Sequence, residues 1–215
     1  MRGLKKLAGG VLSCLFLLVP LLTCAADIDD IITRLQKNYE EVSSISSDFT
    51  QETYYKSLGQ RVKAEGRVYL KKPGRMRWSY SGPEAEEIIS NGTTIWVYQP
   101  DLAQVIEAPA AGGPPAMAMK FLMGTVDLKK DFSAKLIEET RDAYVISLAP
   151  TPPRPNIKKI IVEVDKSRFL VVKTVVMDSF GAEATVTLED INLNPKLDDK
   201  IFEFKAPAGA KTVRP

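Results

Sequence analysis

The chain contains no histidine, and both of its cysteines, Cys14 and Cys24, fall within the first 26 residues. The first absence excludes imidazole acid–base chemistry, Ser-His-Asp and Cys-His nucleophilic systems, and the commonest ligand of transition metals. The second leaves the rest of the chain without a disulfide framework. A phosphate-cradling loop is lacking as well, because Gly112-Gly113-Pro114-Pro115 has neither the spacing nor the Lys-Ser/Thr that should follow. Net charge is small: the formal balance is +2, and Arg2, Lys5 and Lys6 at the extreme N-terminus supply three of the positive charges. Without them the remainder is close to neutral, a poor basis for binding nucleic acid. Glu84, Glu86 and Glu87 offer clustered carboxylates, but such a cluster reads as a solvated strand edge. No catalytic, cofactor-binding or metal-binding residue is expected. These exclusions point to a binding protein rather than an enzyme.

Long apolar runs are also missing. The run Val11 to Leu22 is short and broken by Pro20, which argues against a lasting membrane helix. With a basic start and Cys24-Ala25-Ala26 behind it, the stretch 1–26 reads as a cleaved secretory signal. Leu21-Leu22-Thr23-Cys24 loosely resembles a lipoprotein processing site, so an alternative with a lipidated Cys24 stays open. Residues 27–215 show no repeat and no clear linker, and they are read as a single domain.

From Ile28 the apolar residues fall at Ile28, Ile31, Ile32, Leu35, Tyr39 and Val42, the spacing of an amphipathic helix. Asp27, Asp29 and Asp30 crowd its first turn, where the helix dipole favours negative charge. After Ser46 the pattern becomes short alternating runs. Phe49, Gln51, Thr53 and Tyr55 share a face of the first strand, and further strands are predicted near 61–71, 75–81, 85–90, 94–99 and 103–107. Others follow near 132–139, 143–149, 157–165, 169–178 and 183–191, with Phe202 and Phe204 closing the pattern. Asn91-Gly92 signals a tight hairpin, and Pro73-Gly74 a turn in which glycine supplies a positive φ. The expected fold is mainly β with a few helices, one large curled antiparallel sheet.

Around Pro73-Gly74 the sequence YLKKPGRMRWSY is dense in both charge and aromatics. Alternation separates them. Met76, Trp78 and Tyr80 share one face with Val68 and Leu70, while Lys71, Arg75 and Arg77 lie on the other and read as a solvated surface. Lys72 stands apart, at the rim where the sheet meets its cover. The segment Pro114 to Gly124 suits a short helix and holds three of the six methionines, a residue suited to apolar surfaces that repack around varied partners.

Several stretches carry a resemblance that patterning alone does not. Ser47-Asp48-Phe49-Thr50-Gln51, then Glu65 through Trp78, and Ser90 through Tyr98, with Phe202-Glu203-Phe204 at the end, resemble LolA-type periplasmic lipoprotein carriers over about Ile28 to Pro207. The resemblance implies an unclosed antiparallel β-barrel with a helical lid and a soluble periplasmic location. It also implies an apolar interior that takes the acyl chains of lipoproteins from an ATP-driven inner-membrane release complex and passes them to an outer-membrane receptor. Cavity residues expected on this basis and from alternation are Leu35, Phe49, Leu70, Met76, Trp78, Trp96, Met117, Met119, Phe121 and Leu122. The family's basic residue before the turn proline, usually Arg and holding the lid, is Lys72 here, and lysine lacks the planar fork of arginine. The short tail after Phe204 argues against the extra terminal strand of some members. No cofactor and no nucleic-acid partner are implied, and a monomer is expected. The alternatives are an anchored receptor of related fold, lipidated at Cys24, and a periplasmic module that senses lipids or misfolded outer-membrane proteins without transporting them.

Overall fold

The computed structural model describes residues 27–82, 85–110 and 126–214. The signal expected at 1–26, Glu84, and the Met-rich segment with Met117, Met119, Phe121 and Leu122 lie outside the described residues. The helix α1 (Ile28–Glu41) forms on the expected stripe, burying Ile31, Ile32, Leu35 and Tyr39. Asp27 caps it, its carboxylate accepting the Asp29 N–H at 3.0 Å. The last turn holds no basic residue, so its terminal carbonyls need donors from elsewhere in the fold.

Twelve strands follow: β1 (Ser44–Tyr55), β2 (Gln60–Lys71), β3 (Arg75–Ser81), β4 (Glu87–Asn91), β5 (Thr94–Gln99), β6 (Gln104–Pro109), β7 (Phe132–Glu139), β8 (Ala143–Pro150), β9 (Lys159–Asp165), β10 (Leu170–Met177), β11 (Ala182–Leu193) and β12 (Lys211–Val213). A single helical turn, α2 (Leu128–Asp131), precedes β7. The strands form one sheet in the order β12-β6-β5-β4-β3-β2-β1-β11-β10-β9-β8-β7. Its end strands, β12 and β7, do not pair with each other, so the barrel is unclosed. Every neighbouring pair is antiparallel except β12 with β6.

Register carries one face continuously across the sheet. Ile45 pairs with Leu70, which pairs with Met76, and Val68 pairs with Trp78. On the other half, Ile146 pairs with Val162, which pairs with Thr174. This concave face and the apolar stripe of α1 make a single core that includes Leu35, Phe49, Leu70, Met76, Ile146 and Val164.

The outer face departs from expectation. Lys71, Arg75 and Arg77 are not a solvated surface; their side chains are about 30% exposed and hold down the C-terminal segment. Lys71 Nζ donates to the Leu197 carbonyl at 2.8 Å and to Asp199 at 2.6 Å, and Arg75 also pairs with Asp199. Arg77 donates to the Ile201 carbonyl and makes a two-pronged bond to Glu87, 2.8 Å to each oxygen. Glu87 is thereby committed, and Glu86 accepts from Gln99 at 2.9 Å. Phe202 lies in a 3-10 turn (Asp199–Phe202) against β3 and β4, 1% exposed, rather than in a closing strand. Alternation told the two faces apart but could not show that another part of the chain covers the charged one.

The tail supplies a second correction. Its last residues form β12 despite their small number, because β6 offers a free edge. Lys211 N–H donates to the Ala103 carbonyl at 2.8 Å, and Arg214 pairs with Glu107 at 2.9 Å. Parallel addition to an existing edge needs only three residues here.

Two outcomes are expected. Gly66 faces Phe49 and Tyr80 across its neighbours, and a β-carbon there would sit 1.9 Å from the Ser79 carbonyl oxygen and 2.9 Å from the Phe49 ring. Gly66→Ala should therefore cost about 2–3 kcal/mol in urea unfolding. Asp199 has its carboxyl pulled below the ordinary range by its bonds to Lys71 and then Arg75. A depressed folded pKa gives stabilisation that is full above the ordinary carboxylate range and is lost as pH falls through the folded value. At neutral pH the amides of the 195–204 segment should exchange faster in Asp199→Asn than in the parent, and the difference should vanish as pH falls through the folded pKa of Asp199.

Candidate functional site

The candidate site is the concave face and the helix that covers it. Of the sequence-expected residues, Leu35, Phe49, Leu70, Met76 and Trp78 come together there, each 8% exposed or less. Phe49 is the centre of an aromatic group, 4.7 Å from Trp78 and 5.2 Å, edge-on, from Tyr80 between ring centroids. Trp96 is not part of it. Its strand partner Ile89 aligns with Arg77, which puts Trp96 on the outer face. There it packs 5.9 Å from Phe204 and donates to Glu107 at 3.2 Å. In β5 it is Ile95, paired with Ser90, that faces inward. Two neighbouring apolar residues on opposite faces are indistinguishable by alternation alone.

Helix α1 packs toward β7, β10 and α2, and polar contacts fasten it at several points. Lys72 Nζ, on the β2–β3 turn, donates to the Tyr39 carbonyl at 2.7 Å and to the Glu40 carbonyl at 3.0 Å. It thus brings a cation to a helix C-terminus that has none of its own. Desolvation pushes this ammonium down from its ordinary value, while Glu40 acts the other way. Asn38 donates to the Arg168 and Phe169 carbonyls at 2.9 and 3.0 Å, and the Arg34 guanidinium lies 4.0 Å over the Phe169 ring. Gln36 accepts the Leu128 N–H at 3.2 Å. Deepest is Tyr39, whose hydroxyl accepts the Val171 N–H at 3.1 Å, beside the register shift in β10. Burial first, opposed by that bond, pushes its hydroxyl up to about 12.

Lys72 was the expected latch, but the other tethers escaped the sequence reading. Gln36 and Asn38 look like ordinary residues of a polar helix face, and nothing local announces their partners more than ninety positions away. Tyr39 was visible only as a member of the apolar stripe.

Cover thins toward one end of the face. Tyr80 is half-buried and donates to Gln51 at 3.0 Å, and Gln51 donates to Thr53 at 3.2 Å. Desolvation, then the charge of Glu86, raises the Tyr80 hydroxyl to about 12, with the nearby Trp78 N–H acting weakly the other way. A hollow of about 510 Å³ lies next to this end, lined by Gln51 and Ala64 together with Thr50, Glu52, Lys63, Glu65, Ser81, Gly82, Thr185 and Thr187. Most of its lining residues carry polar side chains and face outward, so it is not a continuation of the apolar core.

Comparison with known proteins decides the family. The model of the family described as outer membrane lipoprotein carrier protein LolA matches residues 40–205. The chain belongs to the LolA family. Outer-membrane lipoprotein carrier proteins of Alkalilimnicola ehrlichii and Coxiella burnetii are each 28% identical to it. The first match covers 97% of this chain and 95% of the relative, the second 100% of both. Among solved structures, an uncharacterized conserved protein from Thermus thermophilus aligns with a TM-score of 0.58 at 14% identity. That match covers 87% of this chain and 98% of the other, and it is a likeness of fold. The LolA family consists of lipoprotein carriers, which are transport proteins and not enzymes. No helix among the described residues is long and apolar enough to cross a membrane.

The Lys72 contact gives a direct test. Lys72→Met should cost roughly 1 kcal/mol, the range for a half-exposed cation at a helix C-terminus, and should speed amide exchange in the last turn of α1. Lys72→Arg should restore both; equal exchange in all three proteins would show that the contact does not hold the helix.

Proposed function

We propose that the protein carries acylated lipoproteins through the periplasm, with their acyl chains taken up on the concave face beneath α1. The observation that carries this reading is a continuous apolar face, wider than one helix stripe, whose helical cover is fastened along its C-terminal half by separate polar contacts. Lys72, Asn38 and Gln36 all bond to or from backbone groups, so each can be exchanged for water when α1 lifts. In this reading Lys72 is the latch, and Leu35, Phe49, Leu70, Met76 and Trp78 are the lining. In the same reading Met117, Met119, Phe121 and Leu122 contribute apolar side chains to cargo binding; Val126, which follows them in the chain, is buried in the core. Trp96 has no part in the lining.

Energetics fixes the order of events. Each buried methylene of an acyl chain is worth about 0.8 kcal/mol, so three long chains amount to tens of kcal/mol in a membrane. Non-covalent affinity levels off near roughly 20 kcal/mol. The carrier cannot extract such cargo unaided, and an energy-coupled complex at the inner membrane must release it. Delivery to an outer-membrane receptor then needs a site that shields the chains incompletely, which a tethered helix over an unclosed sheet provides.

Native mass spectrometry of the processed protein, co-expressed with a lipoprotein or with its unacylatable Cys variant, tests the reading. A one-to-one complex with the acylated form alone is expected. Equal capture of both forms would indicate recognition of the protein moiety and a sensing role. If Met76→Glu and Met119→Glu, each shown to be folded, both left capture unchanged, the concave-face site would be wrong. A diacylglyceryl mass on Cys24 would instead identify an anchored receptor.

A further inference from the structure

Resting on the carrier reading, one atom specifies more than an apolar surface. Along β1 the inward residues change character: Ile45, Ser47 and Phe49 are 3%, 2% and 1% exposed, Gln51 and Thr53 are half-buried, and Tyr55 is 40% exposed. The same step occurs along β3, from Met76 at 2% through Trp78 at 8% to the half-buried Tyr80. Beyond the step the groups are polar and already linked, Tyr80 to Gln51 and Gln51 to Thr53. At the step stands Trp78. Its indole nitrogen is the buried side-chain polar atom, among the described residues, that has no hydrogen-bond partner. The Tyr80 hydroxyl lies beside that N–H, which pulls its pKa down as a weak hydrogen bond would, but the approach falls outside ordinary hydrogen-bond geometry, so the donor is left without a well-formed partner.

An indole N–H donates and cannot accept, so its complement is an acceptor. Saturated hydrocarbon has none, and a buried donor facing only hydrocarbon stays unsatisfied. The acceptor that an acyl chain brings with it is the carbonyl oxygen at its head. We infer that Trp78 N–H donates to the ester carbonyl of a bound acyl chain. This fixes the orientation of the lipid, with its tail toward Met76 and Leu70 and its glycerol toward Tyr80, Gln51 and Thr53. The site therefore distinguishes acyl esters from alkyl chains of equal length.

The test uses the processed full chain and two probes, a diacyl glycerophospholipid and its dialkyl ether twin of equal chain length, with dissociation constants from calorimetry. The parent should bind the ester roughly fivefold more tightly, the contribution of one net buried hydrogen bond. Folded Trp78→Phe should bind the two lipids equally. An ester preference that persists in Trp78→Phe, or is absent from the parent while both lipids bind, overturns the inference and leaves the carrier reading intact. Both lipids are presented as short-chain monomers below their aggregation threshold, and failure of the parent to bind either one overturns the inference, while the carrier reading is decided by the capture of an acylated lipoprotein. Infrared spectra of the parent complex supply a reading that needs no variant: the ester carbonyl stretch should move to the hydrogen-bonded frequency, and an unshifted band overturns the assignment.

Discussion

The structure depends on one constraint: among the described residues, one long amphipathic helix has to cover the inner face of a twelve-stranded sheet. An antiparallel sheet of this width buries one face only by curling around something. The stripe of Ile31, Ile32, Leu35 and Tyr39 is the central filler, and the curl of the sheet brings Phe49 and Met76 from one half and Ile146 and Val164 from the other into the same core. Apolar contact is indifferent to small rotations of a helix, so register comes from polar contacts, which gather in its C-terminal half. Lys72 at the finish, Gln36 and Asn38 along the side and the buried Tyr39 hydroxyl set where α1 sits.

Opposite that core the chain builds a second, smaller layer. The cations of β2 and β3 alternate with the inward apolar residues, as one-sided burial requires. Folding the 195–204 segment over them turns a charged surface into a clasp. Ile89, Val105 and Phe202 are each 1% exposed yet stand outside the main core. The half of the sheet carrying β2 to β6 is thus held from both sides.

Legibility followed the range of the interactions. The helix, its acidic start, the eleven longer strands and the inward positions Phe49, Leu70, Met76 and Trp78 were readable, because periodicity and turn chemistry are local properties. The Asn91-Gly92 hairpin was legible for the same reason: Asn91 Oδ1 accepts from the Thr93 and Thr94 N–H groups at 3.0 and 2.9 Å. What failed to show was any contact set by the closing of the fold. Trp96 was ambiguous because Ile95 and Val97 are as apolar as Trp96 itself. The fate of Lys71, Arg75 and Arg77 depended on a segment more than a hundred residues later. β12 was hidden because three residues carry no pattern; a waiting edge on β6 recruits them.

The bond between Tyr39 and Val171 has a meaning for motion as well as for packing. The Val171 N–H belongs to the wall, while its acceptor belongs to the cover. If α1 lifts away as proposed, that amide is stranded in an apolar hollow unless something polar follows. Opening is therefore bound to wetting: the hollow must admit a water molecule at this one point even as it stays hostile to water elsewhere. Removal of the cover and entry of solvent become a single event, and a closed carrier between errands is a dry one.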